Sequence, residues 1–236
     1  MAWARFQSFF QSVLQTAKTA VKLLLGRGVY KSYGQTGEDA VALALLRDVV
    51  RGTYLDIGAY HPVLYSNTYA FYRRGWSGIA IDPNVTMRPL WSLFRPRDQF
   101  VHAGVATNSG TKTFFMFNDG AYNTFDEHEA ANRKKDKNLC FVGERQIAVV
   151  PLSAILAQYG ISKIDFISVD VEGMDLAVLQ SHDWSVPPRV IAVESVTFNP
   201  DAPYETAVYR YLRERGYRLG GMTAYTLLFV HEGRME

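Results

Sequence analysis

Apolar residues in the first part of the chain recur every three or four positions, which predicts an amphipathic helix. The apolar stripe runs from Trp3 to Leu24, and the opposite face carries Gln11, Gln15, Lys18 and Lys22. Gly26 and Gly28 are predicted to end this helix. A polar-basic face opposite an aromatic face is typical of a helix at a membrane surface, but also of a helix that packs on its own domain or on a second subunit.

After residue 28, short apolar runs alternate with amphipathic stretches. The runs predict strands at 53–58, 78–82, 100–103, 164–170 and 190–194, with closing strands at 217–219 and 225–230. Helices are predicted at 38–50, 67–74, 85–94, 151–159, 174–180 and 204–215. Strands that alternate with helices indicate an α/β fold with a parallel sheet covered on both faces. We therefore predict an N-terminal amphipathic helix over 1–28 and one α/β domain over 29–236.

One region departs from this alternation. Two strands of a different style are predicted at 113–117 and 147–150, and the polar segment 118–145 lies between them. A polar loop of this length is expected to be functional or mobile. Its basic cluster at 133–137 is interpreted either as a solvated face or as a grip for a phosphate-bearing acceptor.

Composition and charge exclude several classes of protein. The chain has 236 residues, of which 48% are hydrophobic and 20% charged, so it is expected to be globular. The single Cys140 excludes a disulfide framework and a four-cysteine zinc site. A net charge of +2 argues against a general nucleic-acid binder. Without a readable signal peptide or an 18-residue apolar run, we expect a cytoplasmic protein.

The charges are unevenly distributed along the chain. Residues 1–37 contain no acidic residue, and their basic residues are Arg5, Lys18, Lys22, Arg27 and Lys31. This distribution leaves two partners open for residues 1–28, a peripheral membrane contact or an oligomer contact.

Four predicted strands end in a carboxylate, namely Asp56, Asp82, Asp170 and Glu194. Ligands of open α/β sheets bind beyond the carboxyl ends of the strands, so these four acids are predicted to share a site. Any one of them could merely cap a helix. Four like charges at one edge cost energy unless a ligand or a cation uses them.

The first two strand ends indicate the kind of ligand. Gly58 and Ala59 follow the first strand and let the backbone approach a ligand closely. Asp82 ends the second strand, where an acid accepts both hydroxyls of a ribose. The glycine-rich helix start that a pyrophosphate needs is missing, so a nucleoside without phosphates fits better. S-adenosylmethionine is the common ligand of that kind.

The motifs around these acids carry a family resemblance. They are residues 54–59 (YLDIGA), 66–68 (SNT), 75–83 (GWSGIAIDP), 165–173 (DFISVDVEG) and 190–194 (VIAVE), with 32–39 (SYGQTGED) upstream. Over about residues 32–230 the chain resembles the FkbM-type S-adenosylmethionine-dependent methyltransferases. Tyr60 departs from the small polar residue that this family usually has after its Asp-x-Gly-Ala motif.

The resemblance implies a class I methyltransferase fold, a Rossmann-like, seven-stranded, mostly parallel sheet with helices on both faces and an antiparallel last strand. It implies S-adenosylmethionine as the cofactor and a hydroxyl of a sugar, glycan or related metabolite as the acceptor. The residues that it places at the cofactor are Gln35, Glu38, Asp56, Gly58, Ala59, Tyr60, Asp82 and Gly104.

Asp170, Glu172 and Glu194 are assigned to the acceptor side as candidate catalytic residues. A protonated hydroxyl is a poor nucleophile, so a carboxylate base within hydrogen-bond reach would help. Alternatively, Asp170 and Glu194 could hold Mg²⁺ or Mn²⁺, which would lower the hydroxyl pKa. Glu172 could equally cap the next helix, and His61 could meet the substrate.

Two further functions stay open. One is a methyltransferase with a nitrogen or carboxylate acceptor. The other is a non-catalytic partner domain that binds a nucleoside or a glycan. Tyr60 favours the second, whereas the intact acids argue against it.

Overall fold

The computed structural model describes residues 2–25 and 30–234. It divides into two compact units, Met1–Lys31 and Ser32–Glu236. The first unit contains helix α1 (Ala2–Leu24), so the predicted amphipathic helix is confirmed. Its predicted glycine stop and the predicted boundary at 28–29 lie outside the described residues. Among the described helices, none combines the length and the apolar character that crossing a membrane requires.

The second unit alternates strands and helices as predicted. Its strands are β1 (Thr53–Ile57), β2 (Ser77–Ile81), β3 (Gln99–Val101), β4 (Gly104–Val105), β5 (Gly110–Phe117), β6 (Phe141–Val150), β7 (Phe166–Val169), β8 (Val190–Glu194), β9 (Tyr217–Met222) and β10 (Thr226–His231). Its helices are α2 (Glu38–Leu45), α3 (Tyr69–Arg73), α4 (Arg88–Phe94), α5 (Glu127–Arg133), α6 (Leu152–Gln158), α7 (Asp175–Gln180) and α8 (Ala207–Arg213).

Seven strands form the main sheet in the order β3-β2-β1-β7-β8-β10-β9. The first five are parallel, and β10 runs antiparallel to both of its neighbours. Tyr54 and Phe166 belong to one apolar cluster, whereas the next residues along, Leu55 and Ile167, belong to the other. Because successive strand residues point to opposite faces, both faces of the sheet are buried. The predicted class I methyltransferase fold is thereby confirmed.

A second sheet accounts for the region that departs from the alternation. Its order is β4-β6-β5, and β5 pairs antiparallel with β6 from Gly110 opposite Val149 to Phe117 opposite Phe141. The prediction of a polar loop over 118–145 is therefore wrong, because this stretch contains a 3₁₀ turn (Gly120–Tyr122), α5 and the first half of β6. That half of β6 is largely exposed and lacks the apolar alternation from which strands are predicted.

Candidate active site

The carboxyl ends of four neighbouring parallel strands open into one cavity of about 480 Å³. Asp82 follows β2, Asp56 lies one residue before the end of β1, Asp170 follows β7 and Glu194 closes β8. All residues predicted for the cofactor or for catalysis line this cavity: Gln35, Glu38, Asp56, Gly58, Ala59, Tyr60, Asp82, Gly104, Asp170, Glu172 and Glu194. The structure thus brings them together, while their individual roles stay predictions.

The turn after β1 brings the backbone close to the end of β7. Gly58 has a φ of +79°, and a Cβ placed on it would lie 1.7 Å from the carbonyl oxygen of Asp170. The amides of Gly58 and Ala59 both donate to the carbonyl oxygen of Ile81, at 3.0 and 3.3 Å. No side chain fits at position 58, and this leaves the cavity floor formed by bare backbone.

Tyr60, the departure from the family pattern, is held in an unusual conformation. Its φ is +38°, in the left-handed region that non-glycine residues rarely adopt. Its amide donates to Asp82 Oδ2 at 2.7 Å, and its carbonyl accepts from Trp91 Nε1 at 3.3 Å. Its hydroxyl donates to Asp119 Oδ1 at 3.4 Å. The larger residue is therefore tied into the site, and its amide orients the acid at the end of β2.

Asp82 has the environment of a carboxylate that receives hydrogen bonds. Its two oxygens accept from the amides of Asn84, at 2.6 Å, and Tyr60. Burial raises the pKa of Asp82 to about 6, although these two hydrogen bonds act in the opposite direction. An ionised carboxylate has about four acceptor positions. Two of them are used, so two remain for a pair of ligand hydroxyls.

Asp56 lies below the cavity and is partly neutralised by a buried arginine. Burial raises its pKa to about 6, while Arg95 and a hydrogen bond from the Thr68 hydroxyl oppose the rise. Arg95 Nη1 lies 3.9 Å from Asp56 Oδ2. Asp56 therefore lines the cavity and also holds the loop that carries Thr68 by a hydrogen bond.

Arg95 is a buried charged residue behind the cavity that the sequence analysis missed. Its side chain is 0% exposed. Its partners are Asp98 Oδ2 at 2.6 Å, the Tyr54 hydroxyl at 2.8 Å, Thr68 Oγ1 at 2.9 Å, Ser66 Oγ at 3.1 Å and the Pro62 carbonyl at 3.3 Å. Arg95 thus ties β1 to the loop 62–68 behind the cavity. Arg95 directly follows α4 and lies among other charged residues, so the pattern of hydrophobic and polar positions does not predict that it is buried.

Glu38 is buried at the first turn of α2 and is fully engaged by neighbours. Burial raises its pKa, but hydrogen bonds from Thr36 and Thr223 outweigh this effect, and the pKa lies below its usual value. Thr223 Oγ1 donates to Glu38 Oε1 at 2.9 Å. Glu38 therefore anchors one wall of the cavity to the turn between β9 and β10.

The wall beyond β3 is apolar. A Cβ on Gly104 would lie 2.6 Å from ring atoms of Phe125, so the ring packs directly on the backbone there. The rings of Phe114 and Phe125 lie 4.7 Å apart. Both phenylalanines line the cavity and come from the second sheet and the segment after it. The sequence analysis placed Phe114 in a strand without assigning it to the site, and it missed Phe125 because it interpreted 118–145 as a loop.

Asp170, Glu172 and Glu194 form an acidic trio at the ends of β7 and β8. Each offers a carboxylate oxygen, and these oxygens lie within 4.8 Å of one another. Burial raises the pKa values of Asp170 and Glu194, and the neighbouring carboxylates raise them further. Three adjacent negative charges would repel one another strongly, so the trio retains a proton more readily than isolated acids do.

Glu172 is distinguished from its two neighbours by a cation. Arg133 of α5 donates to Glu172 Oε2 in an ion pair. Burial raises the pKa of Glu172, and Arg133 counters this rise. Glu172 also has a φ of +55°, and its carbonyl accepts from Thr124 Oγ1 at 3.0 Å. Glu172 therefore links α5 to the segment that follows β7, and the Arg133 guanidinium is engaged in this ion pair.

Comparison with known protein families decides the identity of the domain. Residues 56–219 match the family described as methyltransferase FkbM domain. The chain belongs to this family. It is therefore a methyltransferase domain, and S-adenosylmethionine is the methyl donor that family and fold support. A search of the curated proteins gives no match.

Solved structures of several methyltransferases are similar to the chain at low identity. The 1,6-didemethyltoxoflavin-N1-methyltransferase of Burkholderia thailandensis, solved with S-adenosylhomocysteine, is 12% identical with a TM-score of 0.42, over 94% of this chain and 89% of that chain. The precorrin-6y C5,15-methyltransferase of Geobacter metallireducens is 13% identical with a TM-score of 0.40, over 85% and 90%. A TehB-like S-adenosylmethionine-dependent methyltransferase of Corynebacterium glutamicum is 12% identical with a TM-score of 0.38, over 94% and 98%. At TM-scores this low, the likenesses carry no argument of their own.

The FkbM domain also has an aromatic rim that the sequence analysis missed. Tyr65, Tyr122 and Tyr225 line the cavity and are each more than 40% exposed. They come from three separate segments, the loop after β1, the 3₁₀ turn after β5 and the turn before β10. Sequence alone offers no signal that would group them.

The structure also places His61 and the basic cluster of the FkbM domain. His61 does not line the cavity, because its Nδ1 accepts from the amides of Val63 and Leu64 at 3.1 and 3.0 Å and closes a turn. In the basic cluster at 133–137, Arg133 pairs with Glu172, whereas Lys134, Lys135 and Lys137 are exposed, as expected of a solvated face.

Proposed function

We propose that the chain transfers a methyl group from S-adenosylmethionine to a hydroxyl oxygen of a sugar, glycan or related uncharged metabolite. The observation that carries this proposal is the half-buried acidic trio, which adjoins the Gly58 turn at the edge where a class I methyltransferase binds its cofactor. When bound, the cofactor supplies an electrophilic methyl group on a sulfonium centre.

The residues present fit the cofactor. Gly58 lines the cavity with backbone alone, and the close contact with the Asp170 carbonyl excludes a side chain there. The free acceptor positions of Asp82 suit the two hydroxyls of a ribose. Phe125 and Gly104 form an apolar wall suited to a flat base. These features support cofactor roles for Gly58, Asp82 and Gly104.

Asp170 and Glu194 would receive the proton of the acceptor hydroxyl. A base works best when its pKa lies near the working pH, and burial together with mutual repulsion raises the pKa values of both acids in that direction. Glu172 is already paired with Arg133 and would position this edge rather than accept the proton. The transfer would form an oxygen–carbon bond and break the sulfur–methyl bond, with S-adenosylhomocysteine as the leaving group, and the hydroxyl proton would pass to the carboxylate.

The charge and shape of the cavity favour an uncharged acceptor. The trio would repel a carboxylate or a phosphate, which argues against the carboxylate acceptor considered above. The rings of Tyr65, Tyr122 and Tyr225 offer apolar faces with polar edges, which suit the C–H faces and hydroxyls of a sugar. An amine is the second candidate, because the same carboxylates would attract an ammonium group.

A divalent cation held by Asp170 and Glu194 is the alternative to proton uptake by these two carboxylates. Asp170 and Glu194 offer only oxygen ligands, the set that Mg²⁺ and Mn²⁺ prefer. Such an ion would act by lowering the pKa of the acceptor hydroxyl. Activity that is abolished by a chelator and restored by Mg²⁺ or Mn²⁺ would assign this role, and activity that the chelator leaves unchanged would remove it.

The test is Asp170→Asn, with Asp201→Asn as a control that makes the same change on an exposed carboxylate. We expect calorimetry to show unchanged binding of S-adenosylmethionine in both variants. Turnover of Asp170→Asn should fall by about 100- to 10,000-fold, the usual contribution of a general base. Turnover within threefold of the wild type would remove Asp170 from the mechanism. Failure of the wild-type protein to bind the cofactor would instead favour a non-catalytic partner domain.

A further inference from the structure

Helix α1 presents two chemically distinct faces along its whole length. Trp3, Phe6 and Phe10 are 74%, 65% and 56% exposed, and Val13 and Val21 continue the same stripe. At 100° per residue these five side chains fall within one apolar arc. The Phe6 and Phe10 rings stack with their centres 6.4 Å apart, as expected for neighbours four residues apart. An exposed apolar stripe of this size indicates an interaction surface that another molecule buries.

The opposite face of α1 carries positive charge and no negative charge. Lys18 and Lys22 lie four residues apart on it, among the uncharged side chains of Gln11 and Gln15. Residues 1–37 contain five basic residues and no acid. Helices that pair with one another usually carry flanking residues of both charges, which form ion pairs across the contact. A second copy of α1 would bring only more positive charge.

A partner with an apolar interior and a negatively charged surface would complement both the apolar stripe and the basic face of α1. We propose that α1 docks in the plane of an anionic lipid surface. A helix of 23 residues spans about 35 Å at 1.5 Å per residue. The stripe and the two lysines extend along this axis, so a helix that lies flat buries its aromatic rings in the acyl boundary and places Lys18 and Lys22 at the headgroups.

The two faces make separate contributions that can be measured separately. The stripe supplies apolar burial, which salt does not screen. The lysines supply headgroup attraction, which acts over about 10 Å at 0.1 M salt and about 3 Å at 1 M. Each basic residue near an anionic membrane contributes about fivefold in partitioning. Loss of both lysines is therefore expected to weaken binding on the order of 25-fold.

The experiment is flotation of the full chain with vesicles of phosphatidylcholine containing phosphatidylglycerol, compared with phosphatidylcholine alone. We expect binding to the anionic vesicles at low salt, weaker binding at 1 M salt, and little binding to the zwitterionic vesicles. Lys18→Gln/Lys22→Gln should weaken binding about 25-fold, and Phe6→Ser/Phe10→Ser should abolish it. Gln11→Ser/Gln15→Ser, on the polar face, is the matched control and should bind like the wild type.

Depth is measured through Trp3, which is 74% exposed, whereas Trp76 and Trp91 are each 1% exposed in the second unit. Brominated lipid should quench fluorescence in the wild type and not in Trp3→Phe. Unchanged binding of S-adenosylmethionine in every variant confirms that the methyltransferase domain is folded. The proposal is overturned if the full chain ignores anionic vesicles at low salt, whether it stays monomeric or forms a dimer that the Phe6→Ser/Phe10→Ser change dissociates.

Discussion

Replacing Arg95 with methionine removes the most completely buried charge behind the site. All five N–H groups of Arg95 contact acceptors, and Asp98, which is 1% exposed, receives the shortest of these bonds. In Arg95→Met the Asp98 carboxylate would keep its bonds from the Tyr54 hydroxyl, at 2.8 Å, and the Gly78 amide, at 3.0 Å. It would lose its only cation among the described residues.

The magnitude follows from this geometry. Removing one partner of a buried ion pair costs about 3–5 kcal/mol, because the other charge stays buried without compensation. The hydroxyl oxygens of Tyr54, Thr68 and Ser66 each lose a donor, but Tyr54 and Thr68 keep the carboxylates to which they donate, so the loss of these neutral acceptors adds less. A domain of this size loses about 2–4 °C of melting temperature per kcal/mol. We therefore expect Arg95→Met to melt about 6–20 °C below the wild type.

The assay is thermal and urea unfolding of the full chain, followed by tyrosine and tryptophan signals. Arg88→Met makes the same substitution at an exposed position of α4 and should change the free energy of unfolding by less than about 0.5 kcal/mol. Arg95→Met/Asp98→Asn removes the uncompensated charge while keeping an acceptor for Gly78. It should recover about 1–3 kcal/mol relative to Arg95→Met alone.

A function readout distinguishes a positioning role from a purely structural one. Arg95 lowers the pKa of Asp56 and holds the Thr68 hydroxyl that donates to it. In Arg95→Met, at a temperature where the protein stays folded, we expect weaker binding of S-adenosylmethionine and a raised pKa of Asp56. A loss of unfolding free energy below about 1 kcal/mol, with no recovery in the double variant, would refute the view that Arg95 compensates Asp98.

The remaining predictions concern the cavity itself. In Gly58→Ala the backbone φ is +79° and the new Cβ would lie 1.7 Å from a backbone oxygen. We expect urea unfolding to show a loss of about 3 kcal/mol or more in the free energy of unfolding. Gly110→Ala is the control, because nothing lies within 4 Å of a Cβ there, and it should be near neutral. Asp82→Ala should weaken S-adenosylmethionine binding by about 1.5–3 kcal/mol in calorimetry, and unchanged affinity would remove the ribose assignment. Glu194→Gln should raise the melting temperature at pH 8 and not at pH 4. The pKa of Glu194 is raised by folding, so the wild type loses stability as pH rises through the folded-state value, and a pH-independent difference would contradict this sign.

Much of the main sheet could be predicted because both of its faces are buried. Each central strand then appears as a short apolar run, and the acid at its end stands out against that run. Asp56, Asp82, Asp170 and Glu194 were found in this way, and the parallel topology places all four at one edge.

The missed residues share a different physical origin. The outer half of β6 is exposed on both faces, so pairing with β5 stabilises it without any apolar pattern. Phe125 and Tyr122 flank Thr124, which bridges to Phe115 of β5 and donates to the Glu172 carbonyl, and these long-range contacts place them at the cavity. Arg95 is buried through specific hydrogen bonds, which depend on side chains 27 to 41 residues away in the chain. Contacts of this kind leave no periodic signal in a single sequence.

The buried acids of the cavity are compensated in two different ways, and this difference separates the two halves of the site. Asp56 and Asp82 receive hydrogen bonds or a nearby cation from the protein itself, which suits groups that hold a ligand in one place. Asp170 and Glu194 have mainly each other and further carboxylates, and their raised pKa values suit groups that take up a proton. The Gly58 turn lies against the Asp170 carbonyl and joins the halves through backbone alone. A change at position 58 should therefore disturb ligand binding and proton uptake together, whereas changes at Asp82 or Glu194 should separate them.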